Sequence, residues 1–271
     1  MSRRHSLYAR PLLAAAATVT VLAGTAAAAP ADFPPDRYSA TAALDDTYYQ
    51  HAVGKTGAEL KAALHTIISN QTKLSYSQVW NALKATDEDP ANSSNVVLLY
   101  TGRSQSKNDN GGNVGQWNRE HVWAKSHGDF GTATGPGTDI HHLRPTDVQV
   151  NSTRGNKDFD NGGGELSSAP GNFTDSDSFE PRDEVKGDVA RMILYMAVRY
   201  EGGDSFADLE PNDQVNNGSA PKMGRLSVLK QWSRQDPPDT FEKRRNDVIF
   251  EQFQHNRNPF VDHPEWVGAI W

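Results

Sequence analysis

The densest set of reactive side chains lies in the middle of the chain. Trp117-Asn118-Arg119-Glu120-His121-Val122-Trp123 puts a carboxylate directly beside an imidazole. On an extended segment, neighbouring side chains point to opposite faces, so the two groups would do separate jobs unless the backbone bends there. A carboxylate is a hard oxygen ligand suited to Mg²⁺ or Ca²⁺. A histidine near its ordinary pKa of ~6.5 can take a proton from water at neutral pH. A Glu-His pair alone is ordinary surface chemistry, and its neighbours give it weight. Asp139-Ile140-His141-His142-Leu143-Arg144-Pro145 and Val150-Asn151-Ser152-Thr153-Arg154-Gly155-Asn156 follow downstream. They add amide oxygens, two arginines and two more histidines. A magnesium site for phosphate chemistry needs only one or two protein ligands, with water and phosphate completing the octahedron, so a Glu and an Asn suffice. Arg144 and Arg154 could each grip phosphate oxygens through two parallel bonds, or pair with an aspartate such as Asp139 or Asp147. His141 and His142 follow an expected turn and read as hydrogen-bonding groups that lock the fold.

The elements that must position these residues are partly readable. Leu60, Ala63, Leu64, Ile67 and Ile68 have the spacing of an amphipathic helix. Ser75 reads as the N-cap of a second helix reaching about residue 85, with Val79, Trp80 and Leu83 inward. Val96 to Tyr100 reads as a buried strand. Arg103 to Gly137 is polar and Gly-rich, the type of long irregular stretch that usually carries function. Pro145 reads as the start of a helix and 158–181 as a surface loop. Arg182 to Tyr200 carries one apolar stripe, and helical patterns recur at 226–234 and 240–254. The tail after His255 reads as a loop. Trp80, Trp232, Trp266 and Trp271 read as packing residues. The mixture predicts an α+β fold, rich in helix, with a small strand element near the middle.

Composition bounds the rest. The 271 residues are 36% hydrophobic and 23% charged, with a formal net charge of −7 and no cysteine. That supports a packed core and excludes both a wholly disordered chain and any disulfide. Arg3, Arg4 and Arg10, the uncharged run from Pro11 to Thr25 and the small residues Ala26–Ala29 have the order of a secretory signal peptide, with cleavage expected after Ala28. Ser2-Arg3-Arg4 with Leu7 matches the first part of a twin-arginine signal, so the general secretory and twin-arginine routes both remain open. The mature chain from residue 29 would carry −10 and would lie outside the cytoplasm, with no membrane span. Residues 103–157 nonetheless hold seven basic against five acidic side chains.

The segments WNREHVW, TDIHHLRP and VNSTRGN, with HNRNPF at 255–260, resemble the endonuclease I family of secreted and periplasmic nucleases. That family has a ββα-metal (His-Me finger) active site. The resemblance spans roughly 95–265. It implies a helix-rich single domain over 29–271, with the ββα-metal core at about 95–160 and helical support from 55–86 and 182–255. It implies that His121 is the general base and that Glu120 and Asn151 hold a divalent cation, Mg²⁺ first, Mn²⁺ or Ca²⁺ as alternatives. Asn156 is the rival for the amide role. Arg154, Arg144 and Arg119 are the expected substrate contacts. The implied activity is hydrolysis of DNA and RNA, by a monomer with little sequence preference, to 5′-phosphate and 3′-hydroxyl ends. The sequence departs from many relatives in lacking a proline shortly after Val122, and from some in lacking disulfides.

The alternative from another class is a catalytically idle secreted protein that binds nucleic acid or cations with the same fold. The His-Glu-x-x-His helix of a metalloprotease is absent. Asp158 to Gly162 resembles the start of a calcium loop, but the glycine and closing glutamate fall at the wrong offsets.

Overall fold

Leu60, Leu64 and Ile68 are fully buried along one side of helix α1 (Gly57–Ile68) in the computed structural model, which describes residues 47–271. The expected signal peptide lies outside the described residues. A turn at Ser75–Gln78 then precedes α2 (Val79–Thr86). Ser75 caps that turn, its Oγ accepting from Gln78 N at 3.4 Å and its N donating to Gln78 Oε1 at 2.7 Å, and the regular helix starts four residues later.

The chain next forms a three-stranded antiparallel sheet of β1 (Glu88–Asp89), β2 (Asn92–Val97) and β3 (Ser104–Ser106). The expected strand at 96–100 therefore starts four residues earlier and ends three residues earlier. Leu98, Leu99 and Tyr100 are buried as predicted, but in a turn that reverses the chain, with Gly102 N donating to Leu98 O at 2.8 Å.

Strand β4 (Trp117–His121) pairs antiparallel with β5 (Leu143–Asp147), setting Glu120 opposite Arg144 and His121 opposite Leu143. Trp117, Leu143 and Ile140 join Val79, Leu83 and Val96 in one of two apolar clusters, so the strand pair is anchored from below by α2 and the first sheet. Pro145 sits in β5 instead of opening a helix. The helix begins three residues later because the Asp147 side chain accepts from Gln149 N and Val150 N and so caps α3 (Val148–Arg154). Gly155, at φ 62°, ends it, and Gly155 N returns to Asn151 O at 2.9 Å. Two antiparallel strands thus lead straight into a short helix.

The segment expected to be a loop at 158–181 forms a small sheet, in the order β6 (Asp158–Phe159), β9 (Ser178–Glu180), β8 (Phe173–Thr174), β7 (Gly164–Glu165). Helix α4 (Lys186–Arg199) runs through the larger apolar cluster and is buried on every side. The apolar stripe explains only part of that burial. Its polar side is covered because Arg191 donates to both Glu242 carboxylate oxygens at 2.7 and 2.5 Å. Helices α5 (Leu226–Gln235) and α6 (Thr240–Val248) follow as expected, α6 running on as a π-helical stretch to Phe253. The tail forms two further short helices, Pro259–Asp262 and Trp266–Ile270. The fold is α+β, with small sheets set among helices. Among the described residues no helix is long and apolar enough to cross a membrane.

Candidate active site

A cavity of about 620 Å³ opens where β4 meets α3, lined by Asn118, Glu120, His121 and Asn151, with Tyr76 and Trp80 on its α2 side. Cationic Arg119, Lys125 and Arg154 share the lining with one carboxylate. The site therefore has a positive balance although the chain is acidic overall.

His121 is almost wholly buried, and its Nε2 lies 3.1 Å from Gly137 O. A carbonyl can only accept, so Nε2 carries the hydrogen and Nδ1 keeps the lone pair. Burial, then the neighbouring His142, holds the imidazole well below the usual histidine range. The ring is thus neutral at neutral pH and able to accept a proton. Gly137 can present that carbonyl only as glycine, since a Cβ there would lie 2.7 Å from the Thr132 backbone.

Glu120 is buried on the other side of the strand, as side-chain alternation requires. Its Oε1 accepts from the Tyr100 hydroxyl at 2.8 Å and faces Arg154 Nη1 at 3.3 Å. Burial pushes the carboxyl up, against Arg154 and the Tyr100 hydroxyl, which favour its ionised form. Oε2 makes no hydrogen bond among the described residues. Asn151 donates Nδ2 to Asn118 Oδ1 at 2.7 Å, leaving its own carbonyl oxygen for another partner. The donor set left over, a carboxylate oxygen and an amide oxygen on one cavity wall, fits a hard dication that keeps several waters. Among the described residues, no three His, Cys, Asp or Glu side chains gather to hold an ion. Any ion here would rest on the Glu-Asn pair. Asn156 also lines the cavity but is exposed and beyond the end of α3.

The arginines separate sharply. Arg119 projects into the cavity wall, its guanidinium carbon 3.4 Å from the centre of the Tyr76 ring and 4.0 Å from that of Trp80, with Nη1 donating to Tyr76 O at 2.6 Å. Arg154 is buried, its Nη1 donating to His121 O at 2.9 Å and Nη2 to Val122 O at 2.7 Å. Its Nε is buried without a partner. Arg154 therefore clamps the strand that carries both reactive groups. Arg144 does not reach the cavity at all. Its Nε lies 2.5 Å from Asp87 Oδ1 and its Nη1 3.1 Å from Asp188 Oδ2, deep in the core. The expectation of a phosphate contact at Arg144 is corrected: two buried carboxylates, neither of them Asp139 or Asp147, hold it inward.

His141 and His142 serve the fold, as expected. His142 Nε2 donates to Pro136 O at 2.7 Å, and His141 Nε2 sits 3.2 Å from Asn256 O.

The sequence matches the Endonuclease I family model over residues 56–265, well over half of the chain. The chain belongs to the endonuclease I family. It is 72% identical over 226 residues to an extracellular ribonuclease of Bacillus amyloliquefaciens, covering 83% of this chain and 78% of that protein. An extracellular ribonuclease of Bacillus subtilis (strain 168) is 70% identical over 226 residues, with the same two shares.

As a member of the endonuclease I family the chain is a hydrolase of the nuclease class, and its matched region contains the whole cavity lining. Four contributors to the site are not evident from sequence. Tyr100 reads only as a buried strand residue, and Gly137 and Asn118 carry no local signal. Trp80 reads as packing, yet it lines the cavity and is only partly buried. Its spacing of four from Tyr76 on one side of a helical turn is the signal the sequence offers.

Proposed function

We propose that this endonuclease I family protein is an exported, divalent-cation-dependent nuclease that cuts RNA and DNA with little sequence preference. The observation that carries the reading is His121, which lines the cavity with Nε2 bonded to Gly137 O, leaving Nδ1 as a neutral base. His121 Nδ1 takes a proton from water as the water oxygen attacks phosphorus. The bond from phosphorus to the 3′ oxygen breaks, and the leaving oxygen is protonated from solvent, giving 5′-phosphate and 3′-hydroxyl ends. A divalent cation, Mg²⁺ first, held by Glu120 and Asn151, would neutralise charge on the phosphate and on the leaving oxygen. Arg154 holds Glu120 and the backbone of residues 121–122 in place. Phosphate contact falls to Arg119, the cation fixed on the cavity wall, with Lys125 beside it. We read β4, β5 and α3 as the ββα-metal arrangement that the resemblance implies.

The names of the two relatives support RNA as a substrate and an extracellular site of action. The N-terminal pattern of basic, apolar and small residues supports export in the same way. Contacts from the cations of the cavity to the phosphate backbone carry no sequence information, so sequence preference is low. Such contacts are electrostatic, so binding weakens as salt rises, and with few of them the slope is shallow. An idle binding protein would have no use for a neutral imidazole beside a free carboxylate oxygen.

The test is to incubate supercoiled plasmid and a structured RNA with the purified mature chain, in Mg²⁺ and then in excess EDTA. Both substrates are expected to be cut in Mg²⁺, and neither in EDTA. Intact substrates in Mg²⁺, Mn²⁺ and Ca²⁺ alike would overturn the enzymatic reading in favour of the idle binder.

A further inference from the structure

We propose that Asn118 is a positioning residue for the candidate cation site: it holds the Asn151 side-chain amide so that the oxygen, not the nitrogen, is left for the ion. The proposal rests on the reading of Glu120 and Asn151 as the cation's ligands and adds to it the group that orients the second of them.

The two elements that carry these ligands meet in two parallel rungs. Asn118 and Glu120 are two residues apart on β4 and so share one face of the strand. Asn151 and Arg154 are three apart on α3 and so share one side of the helix. In one rung Arg154 Nη1 faces Glu120 Oε1 at 3.3 Å, and in the other Asn151 Nδ2 donates to Asn118 Oδ1 at 2.7 Å. Each candidate ligand is thus held from the opposite element, the strand's carboxylate by the helix and the helix's amide by the strand. The backbone sets the register of the second rung. Asp147 stands opposite Trp117 in the β4–β5 ladder and caps α3. Asn151, about one helical turn beyond that cap, is thereby brought to Asn118, the residue after Trp117.

An amide needs such a partner more than a carboxylate does. The two oxygens of an ionised carboxylate are equivalent, so a half-turn presents the same ligand to a cation. A half-turn of an amide replaces its oxygen by an NH₂ group, which can only donate and which repels a cation. The torsion that exchanges the two is broad and two-fold, and packing distinguishes poorly between groups of such similar size. A hydrogen bond distinguishes them well, because Asn118 Oδ1 accepts from Nδ2 and has nothing to gain from the Asn151 oxygen. Asn118 is only partly buried, lines the cavity beside Asn151, and its side chain makes no other hydrogen bond among the described residues.

Mn²⁺ binding to the mature chain stripped of metal, read from loss of the free-ion electron paramagnetic resonance signal without substrate, tests this apart from any turnover. The binding abolished by Glu120→Gln defines the site. Asn118→Leu, close in shape but lacking the acceptor, should weaken that binding about tenfold, the low end of the cost of removing a hydrogen-bond partner from a metal ligand. The deciding comparison makes the same change together with Asn151→Asp. A carboxylate there needs no orienting, so Asn118→Leu should then cost roughly twofold or less, as coupled residues require. Equal losses with and without Asn151→Asp would mean that Asn118 supports the fold and not the amide. No loss in either would mean that the amide needs no partner. Both results would overturn the proposal and leave the Glu120–Asn151 site standing. Mn²⁺ binding that Glu120→Gln leaves untouched would refute the cation site itself, and the proposal with it. Should Asn118→Leu fail to fold by circular dichroism, Asn118→Ala serves for the same comparison.

Discussion

Arg154 Nη1 lies 3.3 Å from Glu120 Oε1, both side chains almost excluded from solvent, while the same guanidinium donates to the carbonyls of His121 and Val122. One arginine thus sets the position of the candidate metal-binding carboxylate and of the backbone that carries the candidate base. The last residue of α3 is thereby tied to the end of β4.

Removing one partner of a buried pair leaves the other charged and unpaired, at a cost of roughly 3–5 kcal/mol. Arg154→Met should therefore lower unfolding stability by about that amount in urea denaturation. Arg154→Lys keeps the charge but cannot reproduce the fork onto two carbonyls. It should recover part of the stability and little of the activity. Equal activity in the lysine variant and the native chain would show that the clamp on residues 121–122 does not matter.

Glu120 and His121 should separate by their response to metal. Glu120→Gln removes the anionic ligand and should shift the Mg²⁺ concentration for half-maximal cleavage upward at least tenfold. His121→Ala removes the base, which is worth ~10²- to 10⁴-fold in rate. It should lower the maximal rate at saturating Mg²⁺ while leaving the half-maximal concentration unchanged. A Mg²⁺ titration of both variants on one plasmid substrate reads the two effects together. Parallel shifts in both variants would contradict the division of roles.

Much of this site is legible in the sequence because its reactive groups sit close together there. Glu120 and His121 are neighbours on a strand whose alternation sends one to Arg154 and the other to Gly137. Asp147 and Gly155 mark the ends of α3 with ordinary capping chemistry. What is not legible depends on distant partners. Arg144 is drawn inward by Asp87, 57 residues earlier, and Asp188, 44 residues later, and no local pattern around Arg144 announces either. The sheet at 158–181 is hidden for a related reason. Its strands are two or three residues long, too short for alternation to show, and they are held by long-range pairing such as Asp158 with Ser178.

Arg144 itself yields a contrasting prediction. Its pairing with Asp87 and Asp188 is structural and lies away from the cavity. Arg144→Met should destabilise the fold by roughly 3–5 kcal/mol, since both carboxylates stay buried. At a temperature where the variant remains folded, its KM for a short single-stranded substrate should match that of the native chain. A raised KM with normal stability would restore Arg144 as a substrate contact.

The buried histidines set a pH dependence of stability. Burial holds His141 and His142 down at about 4, with Asp139 nearby pulling each the other way. Unfolded, each would titrate near its ordinary value of ~6.5. Between those values the unfolded chain binds the protons, so the stability is fully present above about pH 6.5 and is lost as pH falls toward 4. Each ring accounts for on the order of 3 kcal/mol across that window. Asp236 acts in the opposite sense, because burial pushes it up to about 6 and the folded state then gains the proton. The native chain's own pH profile mixes these effects, and the difference between two proteins isolates one. Urea unfolding of the native chain and of His142→Gln, run at intervals from pH 7.5 to 4.5, should give curves that converge as pH falls. Curves that stay parallel would mean that His142 does not titrate between the folded and unfolded states.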